Sequence, residues 1–186
     1  GEKEIVWEVK PGQIHTDDVE MSGFATSFLV YYGVTEDGTL YINRHCVWPT
    51  LRLLPNNTHA SFQTDISEEN LPFVSVNGIK QTERPVRFSF DGILHTVGRT
   101  ETGLTVTRDF FPSVTEKNCY EQITLRNGSG KPISFTLEGT DCAAVEYVSG
   151  AKGIYVVEYH QKCKKPPETA KITLFPKQEF TFSLTY

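Results

Sequence analysis

The chain has 186 residues, 38% hydrophobic and 22% charged, with a formal net charge of −5. That length is enough to bury roughly two-thirds of the unfolded surface around one core, and the apolar content excludes disorder. The acidic balance argues against nucleic acid, which needs clustered Lys and Arg, and no run reaches the ~18 apolar residues of a membrane-spanning helix.

Read in order, Glu4 to Val9 predicts a short strand. Residues 10–23 are polar and read as irregular, with Asp17, Asp18 and Glu20 among them. Phe24 to Gly33 predicts an apolar strand, with a turn at Asp37-Gly38 and a return strand from Leu40 to Cys46. Val47 to Ala60 carries Pro49, Pro55, Asn56 and Asn57 and reads as a connecting loop. Ser61 to Ile66 resumes as strand. Asn77-Gly78 and Asp91-Gly92 then mark two tight reversals.

Gly103 to Gly139 is the most informative stretch. Leu104, Val106 and Phe110 share one parity, with Arg108 interposed. Ile123 with Leu125, and Ile133, Phe135 and Leu137, repeat the pattern. A period of two means strands with one buried and one wet face. Asn127-Gly128-Ser129-Gly130 reads as a tight reversal between the last two strands. Beyond it, the run from Cys142 to Cys163 predicts a hairpin turning near Ser149 to Gly153. Ile172 with Leu174, and Phe180, Phe182, Leu184 and Tyr186, predict two closing strands about a turn at Pro176 to Glu179. About a dozen short strands without an amphipathic helix imply an all-β fold, an antiparallel two-sheet β-sandwich in which each sheet buries the other's apolar face.

The four cysteines form no zinc spacing. Cys142 and Cys163 flank the predicted hairpin and are a candidate disulfide if the chain is exported. Cys46 and Cys119 read as buried thiols packing like small hydrophobes. His45 and Cys46, adjacent on a strand, face opposite ways and cannot share a metal. No metal or cofactor is expected. The carboxylates of Asp17, Asp18 and Glu20 suit a solvated loop better than acid–base chemistry, Glu36, Asp37, Glu68 and Glu69 suit turns, and Asp109 suits a cross-strand ion pair.

One loop has the ingredients of a sugar site. Trp48, Arg52, Asn56, Asn57 and His59 lie within a dozen residues, and sugars bind through aromatic faces and planar amide or guanidinium donors. Trp48 suits a core anchor better than a sugar platform, and Arg52 an internal loop clamp. Tyr31, Tyr32 and Tyr41 could widen the aromatic surface, but at strand positions they suit packing better.

The segments GLTVTRDFFPS, YEQITLRNGSGKPISFTLEG and ITLFPKQEFTFSLTY, with support from YYGVTEDGTLYINRHCVWP, resemble the N-terminal β-sandwich (super-sandwich) domain of bacterial glycoside hydrolases and phosphorylases whose catalytic domain is an (α/α)6 barrel. The resemblance implies that residues 1–186 are a single sandwich domain, the N-terminal part of a longer enzyme. It implies carbohydrate, or a helical catalytic domain of the same polypeptide, as partner, and export to the periplasm or cell surface. The family's catalytic carboxylates lie in the barrel, so none transfers to this chain. A free-standing carbohydrate-binding module is the alternative. A small hydrolase using Asp17 or Asp18 is a third reading.

Overall fold

The computed structural model describes residues 3–52, 61–66, 68, 71–139, 142–150, 153–164 and 171–186, and for 52, 142–150 and 153–164 the backbone alone. The first eight strands are β1 (Ile5–Glu8), β2 (His15–Ser22), β3 (Ser27–Val34), β4 (Leu40–Arg52), β5 (Ser61–Ile66), β6 (Phe73–Val76), β7 (Ile79–Lys80) and β8 (Arg84–Phe90). The other eight are β9 (Leu94–Arg99), β10 (Leu104–Pro112), β11 (Cys119–Asn127), β12 (Ile133–Glu138), β13 (Cys142–Gly150), β14 (Gly153–Lys164), β15 (Lys171–Leu174) and β16 (Glu179–Thr185). Among the described residues only position 68 is helical, so the interior is filled there by side chains of sheets alone.

Among the described residues all pairings are antiparallel. An eight-stranded sheet has the order β1-β8-β9-β10-β11-β16-β14-β13, and two four-stranded sheets have the orders β2-β3-β4-β5 and β15-β12-β6-β7. The large sheet is one layer of a sandwich, and the two small sheets together make up the other. Phe28 of β3 meets Phe110 of β10 edge-on at 6.1 Å, and Phe135 of β12 meets Phe180 of β16 at the same separation. One continuous core results, drawing Val30 and Ile42 from one small sheet, Phe135 and Leu137 from the other, and Leu104, Ile123 and Leu184 from the large one. Phe28 and Phe110 are fully buried, each worth ~2–3 kcal/mol of apolar burial.

The alternation read in β10, β11 and β12 is the alternation of burial: Leu104, Val106 and Phe110, then Ile123 and Leu125, then Ile133, Phe135 and Leu137 all point inward. Three local expectations need correction. Residues 10–23 are not irregular throughout, because β2 runs from His15 to Ser22 along the edge of its sheet and pairs with β3. An edge strand with both faces largely wet needs no apolar alternation, so the pattern that marks strands is missing there. The segment after Cys46 is not all loop either. β4 continues to Arg52, and its register with β5 shifts between Trp48 and Arg52, across Pro49. That is where a residue without an N–H is tolerated.

The third correction concerns Asn127-Gly128-Ser129-Gly130, which is not a hairpin. β11 pairs with β10 and β16, whereas β12 pairs with β15 and β6 in the opposite layer. The chain changes layer here, and Asn127 organises the corner. Its side chain is fully buried. Nδ2 donates to the Lys131 and Leu174 carbonyls, each at 2.8 Å, while Oδ1 accepts from the Ser129 N–H and hydroxyl, also at 2.8 Å. Asn77-Gly78, by contrast, is a tight reversal between β6 and β7, with φ of 53° and 77°.

Candidate functional site

The polar centre of the molecule lies inside the sandwich. Glu121 shares its face of β11 with Cys119, Ile123 and Leu125, so the pleat sends its carboxylate into the core, where it is 0% exposed. Arg44 reaches it from β4 across the layers, Nε to Oε2 at 2.6 Å and Nη2 to Oε1 at 2.9 Å. Arg108, from the adjacent β10, donates Nη1 to Oε1 at 2.6 Å, and the Tyr186 hydroxyl donates to Oε2 at 2.8 Å. Arg108 also grips Glu83 through Nε at 3.3 Å and through Nη2. The Arg44 guanidinium lies over the Phe110 ring, 5.6 Å from its centroid.

The charges therefore balance as two guanidinium groups against two carboxylates. Burial alone would raise the Glu121 pKa, but the charges of Arg44 and Arg108 outweigh it and hold the carboxyl at about 2. Burial, reinforced by the Glu121 charge, pushes the Tyr186 phenol well above its usual range. A carboxylate so firmly ionised cannot serve as a general acid near neutrality. A cavity of about 360 Å³ borders this network, lined among others by Leu40, Arg44, Phe73, Glu83, Leu104 and Arg108. Its lining is amphipathic, with hydrocarbon from both layers and the ion-paired Arg44, Glu83 and Arg108.

Two residues further along each strand, Cys46 and Cys119 meet, both fully buried. Another two on, Trp48 Nε1 donates to the Lys117 carbonyl at 2.9 Å. Arg44–Glu121, Cys46–Cys119 and Trp48–Lys117 are thus successive rungs between β4, running one way, and β11 with the turn before it, running the other.

Of the residues expected in a sugar site, Trp48 stands at the end of this ladder. Trp48 is half-buried, tilted against Phe62 at 5.5 Å between centroids, with its N–H already satisfied. It is an anchor whose remaining edge faces solvent. The backbone of Arg52 pairs with Ser61. Asn56, Asn57 and His59 lie outside the described residues. The Cys142–Cys163 hairpin forms and turns between Gly150 and Gly153, and its register sets Cys142 opposite Gln161, two residues short of Cys163. The side chains of both cysteines lie outside the described residues.

Two large apolar side chains are exposed at or beside the turn that receives Trp48. Phe24 and Val114 are 69% and 80% exposed. They adjoin, since the Phe24 N–H bonds the Ser113 carbonyl at 2.9 Å. Val114 belongs to the 113–118 turn that also receives Trp48, where Thr115, Glu116 and Lys117 are exposed as well. Elsewhere, Asp17, Asp18 and Glu20 stand on β2 instead of in a loop. Asp109 makes a cross-strand pair with His95, at 2.7 Å, and Asp91 approaches the other ring nitrogen at 3.2 Å. Burial opposes protonation of His95, but hydrogen bonds to Asp109 and Asp91 prevail and raise its pKa. His45 bonds Asp65 at 2.9 Å on the outer face, while Cys46 points inward as the alternation predicts. Among the described residues no three His, Cys, Asp or Glu side chains converge as a metal site.

Sequence reading did not single out Glu121, Arg44 or Arg108 as a cluster. A signal was present: each is a lone charge in the buried phase of an otherwise apolar strand. Neither a protein-family model nor a curated protein matches this chain.

Proposed function

We propose that this chain is a non-catalytic accessory β-sandwich of an exported bacterial carbohydrate-active enzyme of the glycoside hydrolase kind. It packs on a helical catalytic barrel of the same polypeptide and lends a loop to sugar recognition. The observation that carries this reading is the exposure of Phe24 and Val114, two large apolar side chains at or beside the turn that clamps Trp48. Solvent-facing apolar groups set on rigid fixtures are what interdomain packing covers. The segment bearing Asn56, Asn57 and His59 leaves β4 after Arg52 and returns at Ser61, so its two roots are held by the strand pair that carries Trp48. The ion-paired state of Glu121 and Glu83 supports the non-catalytic part, since glycoside hydrolysis needs one carboxyl poised to give up a proton.

The test begins with the reading frame beyond residue 186 and continues with titration of this chain against the separately produced downstream region, followed by analytical ultracentrifugation. Binding to a helical partner that weakens after Phe24→Asp with Val114→Asp supports the reading. A frame that ends at Tyr186, or binding indifferent to both substitutions, removes it.

One observation favours the alternative of a free-standing carbohydrate-binding module. Tyr31 and Tyr41 are exposed on the outer face of β3 and β4, and Tyr41 stands opposite Gly33, which carries no side chain between them. Asn43, opposite Tyr31, adds an amide to that shelf. Tyr32 takes no part, because it turns inward against Phe88 at 5.1 Å. Glycan-array binding by the isolated chain, lost in Tyr31→Ala with Tyr41→Ala but not in Phe24→Asp, would select this second reading.

A further inference from the structure

The rung between the ion pair and the tryptophan clamp joins two cysteines from opposite layers. Cys46 of β4 and Cys119 of β11 are both 0% exposed. Both are free thiols that bear on each other's ionisation, and Cys119 Sγ lies 4.0 Å from the Ser27 carbonyl. Ser27 and Phe28 are the β3 residues paired with Val47 and Cys46, so this contact places Cys119 over the same spot on the opposite sheet. The rung is fixed from both sides, by Arg44–Glu121 at 2.6 Å and by Trp48–Lys117 at 2.9 Å. The two strands cannot drift apart at this level without breaking one of those contacts.

We propose that Cys46 and Cys119 are a built disulfide site, a cross-link between the two layers that closes when the chain folds in the presence of a disulfide oxidant. The thiolate of one cysteine attacks a sulfur of the oxidant R–S–S–R and expels R–S⁻, leaving a mixed disulfide. The second cysteine, deprotonated in turn, attacks the protein-side sulfur and expels the other R–S⁻. Two protein thiols lose two electrons and two protons, and the oxidant becomes two R–SH. Either cysteine can make the first attack. With both sulfurs sealed in the core, exchange takes place before the layers close. A bond of this type joins the two sheets of antibody domains at a comparable central position. The loop between positions 46 and 119 is long, so closing it disfavours the unfolded chain roughly a thousandfold by the chain-entropy estimate. The proposal is independent of any role in carbohydrate recognition.

The experiment uses the full chain carrying Cys142→Ser and Cys163→Ser, which leaves only the pair in question. The protein is reduced and unfolded, refolded in a glutathione redox buffer, trapped by alkylation and mapped by peptide mass spectrometry. The expected product is monomeric, lighter than the reduced form by about 2 Da. It contains a peptide linking Cys46 to Cys119, keeps the far-UV circular dichroism of the reduced form, and unfolds at higher guanidinium concentration. Recovery of both cysteines alkylated in a folded chain would overturn the proposal. So would linkage only between molecules, or a cross-linked chain less stable than the reduced one. Should the double variant not refold, the unsubstituted chain under the same protocol decides: a Cys46–Cys119 peptide supports the site, and either residue linked to Cys142 or Cys163, or left alkylated, refutes it.

Discussion

Arg44 and Glu121 meet across the core, guanidinium Nε to carboxylate Oε2 at 2.6 Å, with side chains 4% and 0% exposed. A pair so buried stabilises little in net terms, because desolvation offsets most of the Coulomb energy. Its effect is on specificity. Any slip of β4 against β11 strands a charge in hydrocarbon, so this contact fixes how the small sheet sits on the large one.

Removing one member of the network leaves the others uncompensated. Glu121→Gln should destabilise the fold by ~3–5 kcal/mol, read as a lower urea midpoint at pH 7. The pH dependence follows from the depressed pKa. Lowering it from the ordinary 4.5 to about 2 corresponds to a contribution on the order of 3 kcal/mol, at about 1.4 kcal/mol per unit. That contribution is present above pH 4.5 and is lost as the pH falls toward 2. The gap between the protein and its Gln variant should therefore close in acid, and a gap unchanged at pH 2 would refute the assignment.

His95 should titrate above its usual 6.5 in a two-dimensional NMR series, and Asp109→Asn should bring it down. A pKa raised by folding means stability that is full below the unfolded value and disappears as pH rises through the folded one. Replacing His95 by Gln should therefore cost most at pH 5 to 6 and little at pH 9.

Trp48 separates anchoring from ligand stacking. Trp48→Phe keeps a ring on Phe62 but drops the bond to the Lys117 carbonyl, a loss of ~1 kcal/mol. Trp48→Ala removes both and should cost ~3 kcal/mol. A Trp48→Phe variant as stable as the parent, measured by thermal unfolding, would show that the indole N–H contact contributes nothing, and equal stability of the two variants would show that the ring on Phe62 contributes nothing.

Asn127 should be among the least replaceable polar residues. Asn127→Ala leaves buried carbonyls at Lys131 and Leu174 without a donor, at ~2–4 kcal/mol. Asn127→Asp should be worse, since it turns an acceptor toward both carbonyls. Denaturant midpoints ranked in that order support the corner, and an innocuous Asp variant would contradict it.

These residues also show how far the sequence could be read. Strands such as β10 and β12 were legible because one face is buried and the other wet, which imprints a period of two. β2 was missed because an edge strand lined with Thr16, Asp17, Asp18 and Glu20 carries no such imprint. Asn127-Gly128-Ser129-Gly130 has the composition of a turn, and nothing local distinguishes a reversal within one sheet from a step between layers. What decides is the bond from Asn127 to Leu174, far along the chain. The ion network was half legible. Arg44 lies in phase with Ile42 and Cys46, Arg108 with Val106 and Phe110, and Glu121 with Ile123. Two cations and an anion in the inward phase ask for one another, but only the packing of layers shows which meets which. Trp48 was legible as a notable residue, although its partner Lys117 offers a backbone carbonyl, which no sequence pattern advertises.

The pinning of the two layers through β4 and β11 is tested most directly by a double-mutant cycle on Arg44→Met and Glu121→Leu, read by urea unfolding at pH 7. Each single variant strands charge in the core and should lose ~3 kcal/mol or more. The double variant should recover at least ~2 kcal/mol of the summed loss, because the stranded charges go together. Losses that add to within ~0.5 kcal/mol would mean that the two side chains do not meet across the core, and the cross-layer ladder would have to be abandoned.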